Sequence, residues 1–197
     1  ITITSTGNAT EFGDLTTQTS EPAGLASNTR GVFGGGYADS SGTNVIEYIT
    51  ILTTGDATDF GDLTVTRYIL GGLSNSTRGI FAGGNTGSYS DVIDYITIAS
   101  TGDATDFGNL TAATEKVKGC ASTTRGLISG GETGSVYVDT IEYITISSAG
   151  NATDFGNLTT TEAYHASFSS STRGIMAGGY VQGGSFLDVI QYVTIAS

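Results

Sequence analysis

The fold is decided by a stretch in the second quarter of the chain, where residues 77–84 read Thr-Arg-Gly-Ile-Phe-Ala-Gly-Gly and residues 91–98 read Asp-Val-Ile-Asp-Tyr-Ile-Thr-Ile. Both segments are rich in β-branched and aromatic residues, and a Gly-Asn-Thr-Gly-Ser cluster lies between them. Short apolar runs bounded by such turn clusters predict β-strands. Two further runs, at 68–74 and 103–110, flank the pair, so this quarter of the chain predicts four short strands.

The same arrangement occurs four times along the chain. The arginine of a Thr-Arg-Gly tripeptide returns at steps of 48, 47 and 48 residues, at Arg30, Arg78, Arg125 and Arg173. The motif Gly-(Asn/Asp)-Ala-Thr-(Asp/Glu)-Phe-Gly keeps the same steps, starting at Gly7, Gly55, Gly102 and Gly150. Repeats of about 40–50 residues with four strands each are typical of β-propeller blades. We therefore expect a single domain over residues 1–197, with units at roughly 16–63, 64–110, 111–158 and 159–197, the last closed by residues 1–15.

The third strand of each unit indicates how the sheets pack. In the first unit, Val45, Ile49 and Ile51 face one side of the strand, whereas Ile46 and Tyr48 face the other. Apolar residues on both faces indicate a strand that is covered on both sides. We therefore expect each sheet to lie between two neighbouring sheets.

The two ends of the chain share one phase of the repeat. Residues 1–3 match the end of a third strand, and residues 193–195 supply that end again. A ring would take three strands of its last blade from the C-terminus and the fourth from residues 10–15, which would remove open sheet edges. The sequence thus predicts an all-β, four-bladed propeller closed by its N- and C-terminal strands. Four repeats cut from a longer array are the alternative.

Composition argues against several classes of function. The chain has 7 basic and 19 acidic residues and a net charge of −12, which argues against a nucleic-acid or anionic-membrane partner. Its single cysteine, Cys120, rules out an internal disulfide, and its single histidine, His165, rules out multi-histidine metal sites. No apolar run reaches the length of a membrane-spanning helix. We expect no metal and no cofactor.

The units resemble kelch repeats, in which an apolar strand ends in Gly-Gly, a later strand carries a tyrosine and the fourth strand carries an aromatic residue. The matching Gly-Gly pairs begin at Gly34, Gly83, Gly130 and Gly178. The matching tyrosines are Tyr48, Tyr95, Tyr143 and Tyr192, and the matching aromatic residues are Phe60, Phe107, Phe155 and, across the closure, Phe12. The resemblance covers the whole chain, with Phe where kelch units carry Trp. It implies a propeller that binds or scaffolds.

Two other resemblances bear on function. The segments Thr-Arg-Gly-Val-Phe-Gly-Gly-Gly and Asn-Ala-Thr-Asp-Phe-Gly resemble repeat arrays in structural, tail-fibre-type proteins of tailed bacteriophages. A minority of kelch-like domains, similar to galactose oxidase, are copper enzymes. Their site needs two histidines, and this chain has only His165.

One arginine stands at the same position of each unit, and this regularity predicts a structural role for the four repeated arginines, Arg30, Arg78, Arg125 and Arg173. Their planar donor groups would meet turn carbonyls or the repeated carboxylates of Glu11, Asp59, Asp106 and Asp154. The alternative is a ring of arginines that grips an anion near the axis. A calcium site among Asp56, Asp59 and Asp62 is a weaker alternative because the spacing does not match a calcium loop.

The candidate ligand-binding residues are tyrosines in the loops between second and third strands: Tyr37, Tyr89, Tyr137 and Tyr180. These loops, and the connections from fourth to first strands, differ most between units, and antiparallel topology places both sets on one face. Tyrosines on loops held by a rigid scaffold are effective contact residues. The sequence therefore predicts a surface that contacts a glycan or a protein.

Together these features predict a non-enzymatic structural or adhesive module of a virion or an extracellular appendage. Its partners would be other proteins, further copies of itself or a surface glycan. One alternative is a purely architectural subunit of a fibre or extracellular filament. Another is a glycan-processing enzyme, which would need a close pair of carboxylates.

Overall fold

The computed structural model describes residues 6–195, which form β-strands and no helix. The first unit contains β1 (Ala23–Ala26), β2 (Arg30–Gly34), β3 (Tyr37–Ala38), β4 (Ser41–Thr50) and β5 (Thr58–Arg67). The second contains β6 (Gly71–Ser74), β7 (Arg78–Ala82), β8 (Val92–Thr97) and β9 (Thr105–Asn109). The third contains β10 (Lys118–Ala121), β11 (Arg125–Ser129), β12 (Glu132–Thr133), β13 (Val136–Tyr137), β14 (Thr140–Thr145) and β15 (Thr153–Asn157). The fourth contains β16 (Ala166–Ser169), β17 (Arg173–Ala177), β18 (Tyr180–Val181), β19 (Ser185–Phe186) and β20 (Ile190–Thr194).

Each unit folds into one main antiparallel sheet, and the third and fourth units add the two-stranded sheets β12-β13 and β18-β19. The second sheet has the order β6-β7-β8-β9 and the third has the order β10-β11-β14-β15. In the first sheet β1, β2 and β4 follow the same order and β5 pairs with β4, whereas the fourth sheet contains only β16-β17-β20. The four strands predicted for the second unit are confirmed, and so is the all-β class. No helix in the described part of the chain could cross a membrane.

Three apolar cores hold the sheets face to face. The first joins Val32, Ile46 and Phe60 of the first sheet to Phe81 and Ile96 of the second. The second and third cores repeat this contact between sheets two and three and between sheets three and four. Each fully buried aliphatic or aromatic side chain stabilises the fold by about 1.5–3 kcal/mol. The expectation that inner sheets are covered on both faces is therefore confirmed for the second and third units.

Glycines let the first strands of neighbouring units approach closely. A Cβ atom on Gly72 would lie 2.8 Å from the carbonyl oxygen of Gly24, and one on Gly119 would lie 2.7 Å from that of Gly72. Serine hydroxyls tie the same strands together, since Ser74 Oγ donates to the Ala26 carbonyl at 2.7 Å. The sequence places glycine where two backbones touch.

The closing sheet expected at the chain ends is not formed by the described residues. Residues 10–15 form no strand, and β20 pairs with β17 alone. The carbonyls of Phe12 and Asp14 instead accept hydrogen bonds from the N–H groups of Gly55 and Ala57, each at 2.8 Å. Outer strand β5 makes the same contacts with the second unit through Phe60 and Asp62. The N-terminal segment thus lies against the first sheet as an outer strand would, without β20 beside it; residues 1–3 lie outside the described part.

As a result, the outer face of the fourth sheet is uncovered. Phe168, Ile190 and Tyr192 are 62%, 74% and 61% exposed. Their equivalents in the other sheets line the apolar cores. The fourth sheet therefore carries a junction surface without a neighbouring sheet in the described residues.

Candidate functional site

The variable loops of each unit lie side by side. A backbone bridge joins the segment before the first strand to the segment after the second strand in all four units, at Ser20 and Tyr37, Tyr68 and Asn85, Glu115 and Glu132, and Ala163 and Tyr180. The next unit adds a hydrogen bond at each junction, as when the Gly36 N–H donates to the Arg67 carbonyl at 2.9 Å. These segments form a continuous border from the first unit to the fourth, which we call the loop rim (residues 18–22, 36–44, 66–70, 84–91, 113–117, 131–139, 161–165 and 179–189).

The candidate tyrosines lie on this rim and contact neighbouring loops. Tyr37 is 39% exposed and meets the edge of Tyr68 at a ring-centroid distance of 5.1 Å. The Tyr89 hydroxyl donates to Glu132 Oε1 at 2.8 Å and accepts from the Ser135 N–H at 3.0 Å. Tyr89 therefore joins the second loop to the third, and Tyr37 keeps the more open ring.

The other two candidate tyrosines meet edge to face. The rings of Tyr137 and Tyr180 lie 6.2 Å apart between centroids, and Tyr180 also contacts Phe186 at 5.2 Å. Phe186 is 85% exposed, and Tyr164, at the end of the preceding connection, is 51% exposed. Sequence reasoning missed Tyr164 because its position is not aromatic in the other units. It also missed Phe186, although Phe186 stands four residues before the isoleucine of the third strand, as Tyr89 and Tyr137 do.

A lysine organises the centre of the rim. Lys116 Nζ lies 3.0 Å from Glu115 Oε1, hydrogen-bonds Glu132, and faces the Tyr164 ring at 5.3 Å. Burial lowers the pKa of Lys116, but the hydrogen bonds to the two glutamates outweigh burial, so its pKa is raised. Burial raises the pKa of Glu132, but the hydrogen bonds from Lys116 and Tyr89 and the charge of Lys116 outweigh burial, so the pKa of Glu132 is lowered. Both groups are thus charged near neutral pH.

A central cleft of about 450 Å³ opens between the first strands. Its lining comes from all four units, at residues 22–24, 70–72, 118–119 and 164–167. Lys118 from the third unit faces Glu21 from the first: burial lowers the pKa of Lys118, and the charge of Glu21 partly restores it. A second cleft of about 360 Å³, lined by residues 26–28, 74–76, 121–123 and 169–171, again draws on all four units. All four units therefore contribute residues to both clefts.

The repeated arginines do not line these clefts, and each packs against the tyrosine of its own unit. Arg30 Nη1 donates to the Ile98 carbonyl at 2.8 Å, and Arg78 Nη1 donates to the Ile146 carbonyl at 2.7 Å. Both carbonyls belong to the turn after the third strand of the next unit. The guanidinium groups of Arg30, Arg78, Arg125 and Arg173 lie 4.3, 4.3, 4.7 and 4.4 Å from the ring centroids of Tyr48, Tyr95, Tyr143 and Tyr192. Of the two partners expected for Arg30 and Arg78, the structure shows the turn carbonyl rather than the repeated carboxylate.

The sequence analysis missed a column of buried polar side chains at the junctions between sheets. The column consists of Glu47, Asp94, Glu142 and Gln191, each 9% exposed or less. Each accepts a hydrogen bond from the backbone N–H of a threonine that lies 30–32 residues earlier in the chain: Thr16, Thr64, Thr111 and Thr159. The sequence repeat does contain a signal for this column. In every unit a polar residue directly precedes the repeat tyrosine of the third strand, and the threonine directly follows a leucine.

His165 and Cys120 are packed in the interior. His165 Nε2 lies 2.9 Å from Ser129 Oγ, and its Nδ1 lies 3.6 Å from Glu162 Oε1. Burial, with a contribution from Lys118, lowers the pKa of His165 to about 4. Cys120 is a free, buried thiol, and burial raises its pKa to about 11. Within residues 6–195, no three His, Cys, Asp or Glu side chains are grouped as metal ligands would be.

Comparison with known proteins adds no family assignment. No protein-family model matches the chain. None of the curated proteins compared with it is significantly similar. The resemblances to kelch repeats and to bacteriophage repeat arrays therefore rest on the sequence motifs alone.

Proposed function

We propose that the four sheets are the blades of a kelch-like propeller whose ring closes between the fourth sheet and the first. Support comes from the two clefts, each lined by all four units. The uncovered face of the fourth sheet presents Phe168, Ile190 and Tyr192, at positions that are packed against the next sheet at the three existing junctions. On the first sheet, the facing surface includes Ile51, which is 40% exposed. Closure would bury both surfaces against each other.

The N-terminal segment supports the same closure. In the first three units the repeat tyrosine meets the phenylalanine of the outer strand edge to face, at 5.9, 6.0 and 6.2 Å between ring centroids. For Tyr192 the equivalent phenylalanine is Phe12, in the segment that already lies against the first sheet. Closure would bring Phe12 to Tyr192 and supply the fourth strand that the last sheet lacks.

We propose that this scaffold is a non-enzymatic adhesive or structural module on a virion or an extracellular appendage. The loop rim would contact a surface glycan or another protein. The proposal rests on the structure of the loop rim. Its loops differ in sequence, are joined to one another by backbone bridges and are carried by packed sheets. Three of its aromatic residues, Tyr37, Tyr164 and Phe186, are partly or largely exposed. Aromatic rings with restrained side chains give contact area at low entropic cost.

Binding to a glycan array tests the adhesive role. Tyr37→Ala, Tyr164→Ala and Phe186→Ala should each weaken any glycan signal. Leu52→Ala is the matched control, because Leu52 is 87% exposed but lies in a turn outside the loop rim. Glycan binding that survives all three rim substitutions would contradict this role. Release of free sugar from a bound glycan would contradict the non-enzymatic assignment.

The second candidate is an architectural subunit of a fibre or filament. The uncovered fourth sheet favours it, since a face that fits the first sheet of another copy would generate an open, head-to-tail polymer. Light scattering and electron microscopy across a range of protein concentrations separate the two candidates. Ordered polymers without a glycan signal support the fibre subunit, and a monomer with a glycan signal supports the adhesive module.

A further inference from the structure

The junctions between sheets differ at one position, and the difference leaves a cavity. The position is occupied by Arg67 between the first and second sheets, by Thr114 between the second and third, and by Glu162 between the third and fourth. Each residue comes four positions after a leucine of the repeat. The backbone confirms the equivalence, since the carbonyls of all three residues accept a hydrogen bond from a glycine N–H at 2.9 Å.

Arg67 shows what this position can hold. Its Nη1 donates to the carbonyls of Gly83 and Val92 at 2.8 and 2.7 Å, and its Nη2 donates to Asp94 Oδ2 at 2.6 Å. The guanidinium thus meets two carbonyls and one carboxylate in a fully buried setting. At the last junction an acid replaces the arginine and an amide replaces the aspartate: Glu162 faces Gln191, whose Nε2 donates to Glu162 Oε1 at 3.0 Å.

At the middle junction the acceptors remain and the cation is missing. Thr114 is too short to replace a guanidinium, and a cavity of about 60 Å³ lies beside it. Gly130, Thr140 and Glu142 all line this cavity, and they are the repeat equivalents of Gly83, Val92 and Asp94. Since one water needs about 10–15 Å³ of such volume, the cavity of about 60 Å³ has room for about four to six heavy atoms, and a guanidinium ion has four.

The electrostatics and the access route fit a cation. Glu142 is 6% exposed, and its Oε1 accepts hydrogen bonds from the N–H and the hydroxyl of Thr111. A buried carboxylate gains most from a charged donor. Leu110, Val117 and Ile128 form apolar walls. Ala112, also part of the lining, is exposed, so the cavity opens to solvent.

We propose that this cavity binds a guanidinium group, held by the carboxylate of Glu142 and the carbonyls of Gly130 and Thr140. Its source is either a small alkylguanidinium solute or an arginine side chain whose stem leaves past Ala112. The site depends neither on ring closure nor on the loop rim, so it goes beyond the proposed function.

Titration of the isotope-labelled chain by NMR tests the site. Methylguanidinium should shift the amide signals around Gly130 and Thr140 saturably, and urea, a neutral planar analogue of the guanidinium group, should not. Glu142→Gln should weaken the apparent affinity at least about tenfold, because a charge-assisted hydrogen bond is lost. Thr114→Arg should abolish the saturable shift by filling the cavity from within.

Two further measurements complete the design. Acetyl-arginine amide, titrated in parallel, distinguishes the sources: tighter binding than methylguanidinium identifies a protein side chain, and weaker binding identifies a small solute. The same spectra show whether each variant is folded. If a variant is unfolded, the comparison of methylguanidinium with urea on the unaltered chain tests the guanidinium site without it. Equal shifts with urea, no saturation before unfolding begins, or unchanged binding by folded Thr114→Arg would each overturn the proposal.

Discussion

Arg67 Nη2 lies 2.6 Å from Asp94 Oδ2, and neither side chain has any exposed surface. The pair spans the junction between the first and second sheets. Burial is the largest influence on the pKa of Arg67 and lowers it, while Asp94 acts in the opposite direction. The stability of this junction therefore depends on both partners being present.

Arg67→Met should lower the free energy of unfolding by about 3–5 kcal/mol, because it leaves the Asp94 carboxylate buried without its cation. The double variant Arg67→Met/Asp94→Leu should recover most of that loss, since neither charge then remains. Urea unfolding followed by circular dichroism measures both. A double variant no more stable than the single one would show that packing, rather than the unpaired charge, dominates.

The strands were predictable because their signals are local. Glycine-rich turns and β-branched runs recur at one phase, and β7 and β8 lie within the segments that the sequence indicated. The partner of Arg67 was not predictable, because Asp94 lies 27 residues away in the next sheet and the Arg67 position is not repeated as a cation. For Arg30 the sequence allowed two classes of acceptor, a turn carbonyl or a repeated carboxylate. Every residue has a carbonyl, and sequence alone does not say which carbonyl lies near the arginine.

The site was predictable only in part, for similar reasons. Loop variability located Tyr37 and Tyr89 on the rim, but it gave no sign that the Tyr89 hydroxyl bonds Glu132 of the next unit. Tyr164 stood outside the repeated tyrosine positions and drew no attention. Its exposure depends on the backbone before the first strand, where φ is +63°.

Gly83→Ala should destabilise the chain strongly. Gly83 has φ of +63°, and a Cβ atom there would lie 2.4 Å from the Thr114 carbonyl oxygen, so both strain and a backbone clash arise. The matched control is Gly134→Ala, where φ is +56° and no atom lies within 4 Å. Strain alone should cost the control about 1–2 kcal/mol. Thermal and urea unfolding should show a clearly larger loss for Gly83→Ala; equal losses would mean that the second and third units separate easily enough to relieve the clash.

Stability between pH 4 and pH 6.5 should reflect two opposing groups, Glu162 and His165. Burial raises the pKa of Glu162 to about 6 from 4.5, although the hydrogen bond from Gln191 opposes this; its contribution is full below pH 4.5 and is lost as pH rises through 6. The pKa of His165 falls to about 4 from 6.5, so its contribution is full above pH 6.5 and is lost as pH falls through 4.

Single variants should separate these two slopes. Glu162→Gln should leave a chain whose stability rises from pH 4 to pH 6.5. His165→Val, which introduces the residue found at the equivalent Val117, should leave a chain whose stability falls from pH 4.5 to pH 6. Urea midpoints measured across this range check both signs. Parallel profiles for the two variants would show that neither group titrates as the structure indicates.

Ring closure predicts an energetic coupling between Phe12 and Tyr192. The reference is the equivalent pair Tyr95 and Phe107, whose rings lie 6.0 Å apart edge to face. Aromatic pairs of this kind contribute about 0.5–1.5 kcal/mol beyond the area that they bury, and a double-mutant cycle isolates that contribution. Substituting each residue by Leu, singly and together, should give a similar coupling free energy for both pairs in urea unfolding. A coupling near zero for Phe12 and Tyr192, with a normal value for Tyr95 and Phe107, would mean that the fourth sheet stays open in the monomer. The uncovered face of Phe168 and Ile190 would then be left for another copy of the chain, and the fibre subunit would become the better account of its function.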